Sequence, residues 1–192
     1  MSWSLLPKVI AGLLALPVLL VGTSGVAETP SDRQQLDETG VCPGCDLIRA
    51  DLTQRDLRQV DLTGADIRFS RLSGANLNSA TLQAADLSWS LLGQTSLRGS
   101  NLREARLYRT DFSGADLSRV RLQEANLHQA NLAGASLVGA SLQGAFMAGA
   151  NLAGADLTQA RLTDAIVQPA QLQAALLCNT IMPNGRTNNR DC

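Results

Sequence analysis

Cys42 and Cys45, in the stretch CPGC, have the spacing of a thiol–disulfide oxidoreductase. Such a pair works when one thiol is activated, normally at the start of a helix that lowers its pKa. Two more cysteines, Cys178 and Cys192, stand near the end of the chain, and four cysteines are also the ligand set of a structural zinc site. His128 is the only histidine. With no second histidine or cysteine cluster beside it, it is a poor metal ligand and a poor general base. Aspartate recurs at a fixed interval, as in Asp46, Asp51, Asp56, Asp61 and Asp66, which suits a repeated turn better than a catalytic pair. No phosphate-binding glycine loop, nucleophile elbow or metalloprotease motif is present. The reading is a non-enzymatic chain with no catalytic residue, no cofactor and no metal site. A thiol oxidoreductase through CPGC is the enzymatic alternative.

The elements that position these residues follow a period of five. Apolar residues occupy every fifth place from Leu47 to Leu177, 27 positions in one register. Leucine dominates, with Ile67, Phe112, Met147 and Val167 as exceptions. The residue two places earlier is small, most often alanine; Arg55 is the clear departure and must point outward, sit near an end or distort its turn. Five residues of helix overshoot a full turn by about 140°, so the leucines would wander around it. In a strand, an odd period would send successive leucines to opposite faces. The leucines share one core only if the chain changes direction once per repeat, and repeats this short must coil and stack. Asp or Asn before the leucine and Gly two after it are the turn residues such a path needs.

GANLN (74–78), GADLS (114–118) and GADLT (154–158) resemble the pentapeptide-repeat family, and the resemblance covers 45–179. It implies an all-β solenoid, a right-handed quadrilateral β-helix with four repeats per coil. The leucine and the small residue would point inward and the other three positions outward. The register then makes about 6–7 coils, a rod about 32 Å long at the usual strand spacing of about 4.8 Å. CPGCDL is also a common start among cyanobacterial members, which favours a structural role for Cys42 and Cys45 over a redox one.

The remaining segments are assigned around that rod. Residues 1–27 read as a secretory signal peptide, with Lys8, an apolar run from Val9 to Val21, and Gly25 and Ala27 at the cleavage site. The run is short for a membrane span of about 20 residues, so no stable membrane insertion is expected after cleavage. Residues 28–41 form an N-terminal cap segment. Ser31 with Gln34 is a capping box and Gly40 a helix end, so a short helix could cover the first coil with Leu36. The rod spans 42–177, where Pro169–Leu177 suits either a last coil or a capping helix, and 178–192 is a polar tail. About 30 Å of rod would separate the two cysteine pairs, too far for a disulfide or a shared zinc. Export favours oxidation. Cys178–Cys192 would pin the tail by closing a loop worth about 3 kcal/mol. Cys42 and Cys45 would be a disulfide or a pair of inward thiols.

Residues 20 apart should share a face. One face gathers Arg68, Phe69, Trp89, Tyr108, Arg109, His128 and Phe146. Exposed aromatics among arginines are typical of protein-binding hot spots, although they can also merely shield the wall. An arginine-dense band (Arg98, Arg103, Arg106, Arg109, Arg119, Arg121) is partly offset by Glu104, Asp111, Asp116 and Glu124. Removal of 1–27 leaves 15 basic and 17 acidic residues, net −2, so no nucleic acid is expected as a partner. The expected role is an exported structural or interaction rod, in a thylakoid lumen or periplasm, presenting a face to an unknown protein partner. Homo-oligomers, end to end or side by side, stay open. A DNA-mimic regulator of a topoisomerase is the other alternative, disfavoured by the leader and the near-neutral charge.

Overall fold

The computed structural model describes residues 31–192. The expected leader over 1–27, and the first three residues of the cap segment, lie outside them.

Each central leucine starts a turn. Leu82 O accepts from Ala85 N–H at 3.1 Å, and of the two residues between, only Ala84 has a positive φ, 56°. A positive φ at that place alone is type II geometry. The aspartate or asparagine before the leucine serves the same turn. Asp61 Oδ1 accepts from Thr63 N–H at 3.0 Å, Asp111 Oδ1 from Ser113 N–H at 3.0 Å, and Asp156 Oδ1 from Thr158 N–H at 2.9 Å. Either Asp or Asn supplies this acceptor, which is why both are frequent there.

Four such corners return the chain to its starting side after 20 residues. Parallel bridges join residues 20 apart, from Val41–Asp61 to Arg161–Ile181. Leu82 N–H donates to Asn101 O at 2.7 Å, and Asn101 N–H donates back to Ala80 O at 2.9 Å. Each side is too short to form a strand, so the backbone is satisfied coil against coil, one bridge at a time. The leucines stack in columns inside. Leu62, Leu82, Leu102, Leu122, Leu142 and Leu162 form one column with no exposed surface, and Phe112 takes a leucine's place in another. The small residues fill the corners beside them, with Ala85, Ala105, Ala125 and Ala145 fully buried.

At the N-terminal end, helix α1 (Asp32–Thr39) carries Leu36 into the core. Ser31 Oγ accepts from Gln34 N–H, and Gly40 closes the helix in the left-handed region at φ 68°. Arg55, the misfit in the inward column, sits near this end and reaches out to pair with Asp37 on α1.

The C-terminal end departs from the period. Pro169–Leu172 forms a 3-10 turn, so Pro169–Leu177 is a coil with one helical turn rather than a regular coil or a capping helix. Gln168 N–H and Gln171 Oε1 close the turn, and Gln171 Nε2 donates to the carbonyls of Met147 and Ala150, replacing a ladder bond. Ala170, inward by register, is swung to the surface. Pairing slips by one residue at Gly154, which donates to Ala174 O, and is back in register where Leu157 N–H donates to Leu176 O. The coil path continues to Ile181, and strands β1 (Thr180–Ile181) and β2 (Thr187–Asn188) then form an antiparallel hairpin.

Two substitutions separate the forces. Leu107→Ala removes a buried side chain from a column that cannot collapse and should cost about 2–5 kcal/mol in urea unfolding. Gly64→Ala places its methyl in open space, so only the left-handed backbone at φ 65° opposes it, and the cost should be about 1–2 kcal/mol. Equal losses at both sites would show that packing and turn strain are not separable here.

Candidate functional site

The cysteines are placed first. Cys42 and Cys45 lie at disulfide distance, Cα to Cα 5.4 Å, as do Cys178 and Cys192 at 4.8 Å. Cys42 is fully buried and Cys45 is 5% exposed, beneath α1. A thiol pair that exchanges with other proteins must be reached by them, and these sulfurs are enclosed at inward positions of the first coil. The two pairs stand at opposite ends of the ladder, and no cluster of metal-ligating side chains occurs among the described residues.

The face gathered by the 20-residue period is continuous for four coils. Phe69 and Trp89 stack with centroids 6.4 Å apart at 17°. Tyr108 meets Trp89 edge-on at 5.6 Å and 78°, and His128 stacks on Tyr108 at 5.6 Å and 13°. Despite this stacking, Phe69 remains 48% and Trp89 43% exposed. Phe69, Trp89 and Arg109 stand at the left-handed turn position, with φ 60°, 64° and 53°, which other repeats fill with glycine or with mostly polar residues such as Gln54 and Glu104. That conformation disfavours large side chains, so these turns carry strain that glycine would not.

Arg109 is held over this stack. Its Cζ lies 4.6 Å from the Trp89 ring and 5.4 Å from the Tyr108 ring, and its Nε donates to Gln129 Oε1 at 2.6 Å. Tyr108 Oη donates to the same oxygen at 3.2 Å. No acidic side chain pairs with Arg109 among the described residues, so its terminal nitrogens are free to donate. Arg68 differs. Its guanidinium grips Asp66 through two bonds, at 2.7 and 2.6 Å, and this holds the Asp66 carboxyl below its usual 3.8. His128 Nδ1 is shielded from solvent without a hydrogen-bond partner among the described residues.

Phe146 shares the face but not the stack. It stands at the opposite edge, 45% exposed, bridged to Ile166, which is 52% exposed. Ile48, 37% exposed in the row of Tyr108 and His128, and Ile166 add apolar surface to this face that its aromatic pattern does not mark, and Gln129 positions Arg109. The 20-residue register would have found the two isoleucines, while the role of Gln129 needs the contact itself. Of the band arginines, Arg98 pairs with Asp116 at 3.2 Å and Arg106 with Asp86 at 3.8 Å. These are solvated surface pairs.

A family model described as pentapeptide repeats matches the chain in eight copies, over residues 45–83, 80–119, 121–159, 130–168 and 147–177. Among solved structures, the chain is similar to HetL, a pentapeptide repeat protein involved in heterocyst differentiation regulation from the cyanobacterium Nostoc sp. strain PCC 7120. The two are 26% identical over 81% of this chain and 97% of that one, with a TM-score of 0.54. It is also similar to a pentapeptide repeat protein of the Arabidopsis thaliana thylakoid lumen, at 34% identity over 54% of this chain and 72% of that one, TM-score 0.46. A trypsin-treated variant of QnrB1, a plasmid-mediated fluoroquinolone resistance protein, matches at 21% identity over 71% and 70% of the two chains, TM-score 0.51. No curated protein matches the sequence.

Two measurements check this geometry. Gln129→Ala should free the guanidinium and make Trp89 more accessible to acrylamide quenching, at a stability cost below about 1.5 kcal/mol. Unchanged quenching would show that Gln129 does not hold Arg109. Asp66 and Asp191 have lowered folded-state values, from the hydrogen bonds of Arg68 and of Arg190 respectively. A lowered carboxyl contributes stability above its unfolded value and loses it as pH falls through the folded one. Melting temperature should therefore hold from neutral pH to about pH 4 and drop below it.

Proposed function

The chain belongs to the pentapeptide-repeat family, and from that premise we propose that it is an exported, non-enzymatic rod that presents its aromatic face to a protein partner. The family's fold is a right-handed quadrilateral β-helix; in this reading about seven coils form the rod, α1 covers its first coil and the pinned tail its last. A role without catalysis is supported by enclosed cysteines, by aspartates spent on turns and by members of the family that serve as interaction modules. HetL, with which the chain aligns over 81% of its length, is involved in regulation. Export is supported by the secretory pattern of residues 1–27 and by cysteine pairs at disulfide distance at both ends.

The observation that carries the reading is Arg109, fixed over Trp89 by Gln129 with no acidic partner of its own. A cation held rigid on an exposed aromatic surface is arranged for a group it does not yet touch. A protein segment that offers a carboxylate to the guanidinium and apolar side chains to Phe69 and Trp89 would satisfy both features. A topoisomerase-binding DNA mimic would need an acidic face, and the cation held over this one, Arg109, has no acidic partner among the described residues.

Cross-link capture in the exported compartment tests this. Wild type should capture a partner that the folded Trp89→Ala/Tyr108→Ala variant loses and that Arg109→Gln holds at least about tenfold more weakly. The same catch from all three proteins would remove the aromatic face as the site.

A further inference from the structure

The C-terminal end of the rod contains an open cleft where the coil path breaks. Pro169–Leu172 leaves the ladder on one side, and the chain after Ile181 turns back as the β1–β2 hairpin on the other. Between them is an open space of about 530 Å³. Val167, Pro169, Leu172, Met182 and Pro183 form its apolar walls, and Arg186 stands among the polar residues that complete it. The other four are asparagines and a threonine, and no lining residue is acidic.

Two donors here lack acceptors among the described residues. In the preceding repeat, Leu162 N–H donates to Ile181 O at 2.7 Å. The equivalent N–H of Val167 has no acceptor, because the chain that would supply one has turned into the hairpin. The Arg186 guanidinium has no ion pair. Its neighbour Arg190 is consumed by Asp191 and by the carbonyls of Leu172 and Ala175. The hairpin wall is itself fixed. Asp191 Oδ2 accepts from Leu177 N–H at 2.8 Å, Asn189 Oδ1 accepts from Asn179 N–H at 3.0 Å, and Cys178 and Cys192 stand at disulfide distance.

We propose that this cleft binds a small amphipathic carboxylate, with its acyl chain on the Val167–Pro169–Met182–Pro183 wall and its carboxylate on Arg186. The volume lies within the range of small-molecule sites, roughly 300–1,000 Å³. Apolar walls receive the chain, the planar guanidinium fork receives two carboxylate oxygens, and the absence of a lining acid leaves the fork uncompensated. The site is separate from the aromatic face and does not depend on it.

Sodium octanoate is the probe, followed by backbone amide NMR shifts on the oxidised protein. Saturable shifts should appear at Val167, Met182 and Arg186, with none at Trp89 or Tyr108. Octylamine should give none, since it brings a cation to Arg186. Arg186→Gln changes an exposed side chain, leaves the fold intact, and should bind octanoate at least about tenfold more weakly. Opening the tail with the Cys178→Ser/Cys192→Ser pair should weaken binding through the hairpin wall. Non-saturable shifts, equal response to octylamine, or unchanged binding by Arg186→Gln would each overturn the site.

Discussion

The bond from the third residue after most central leucines back to that leucine's carbonyl, with one left-handed residue between, sets everything else in this molecule. It turns the chain every five residues, and four turns bring each residue beside the one 20 further on. From that single geometry follow the ladder, the inward column of leucines and the outward rows. The turn also explains the composition. Asp or Asn is frequent before the leucine because its side chain accepts the amide that the ladder leaves out, as Asp61 does for Thr63. A small residue, most often alanine, stands two before the leucine because the corner there is narrow, and Ala85 and Ala105 are fully buried in it. Where a hydroxyl replaces alanine it joins the backbone network. Ser90 Oγ accepts from Ser70 N–H and donates to Ile67 O, bridging the turn below it.

The coil was legible in the sequence because one small set of constraints recurs 27 times, so each repeat repeats the statement. The ends were not, because they break the period for local reasons. Pro169 and Gln171 lie in the five-residue register, and nothing in the spacing announces that Gln171 will use its side chain to take over bonds that a coil backbone would have made. Arg55 was legible only as a misfit. Its resolution needs Asp37, which belongs to a helix outside the repeat. The burial of Cys42 beneath α1 likewise depends on an element that the period does not govern.

The site was legible in half. Periodicity placed Phe69, Trp89, Tyr108 and His128 in adjacent rows, because residues 20 apart must share a side. It also put Phe146 on that side without saying which edge. Phe146 occupies the place before the leucine, whereas Phe69 and Trp89 occupy the place two after it. That difference of three positions separates Phe146 from the stack. The register fixes the row, and only side-chain direction fixes the neighbour.

A solenoid of this kind divides its sequence between two tasks. Inward positions and turn residues are held to a few types by packing and hydrogen bonding, so they say little about what the molecule does. Outward positions are nearly free, and departures there are informative in proportion to how poorly they suit the turn. Phe69 and Trp89 are such departures. Both hold a left-handed backbone that glycine would hold with less strain, and both leave nearly half their surface in water. Neither property stabilises the coil. Arg109 adds a third of the same kind, since a guanidinium locked by Gln129 gives up freedom that a solvated arginine would keep. Three features that cost the fold something fall in adjacent coils on one side of the rod. Their concentration on one side of the rod is what the proposed partner face rests on.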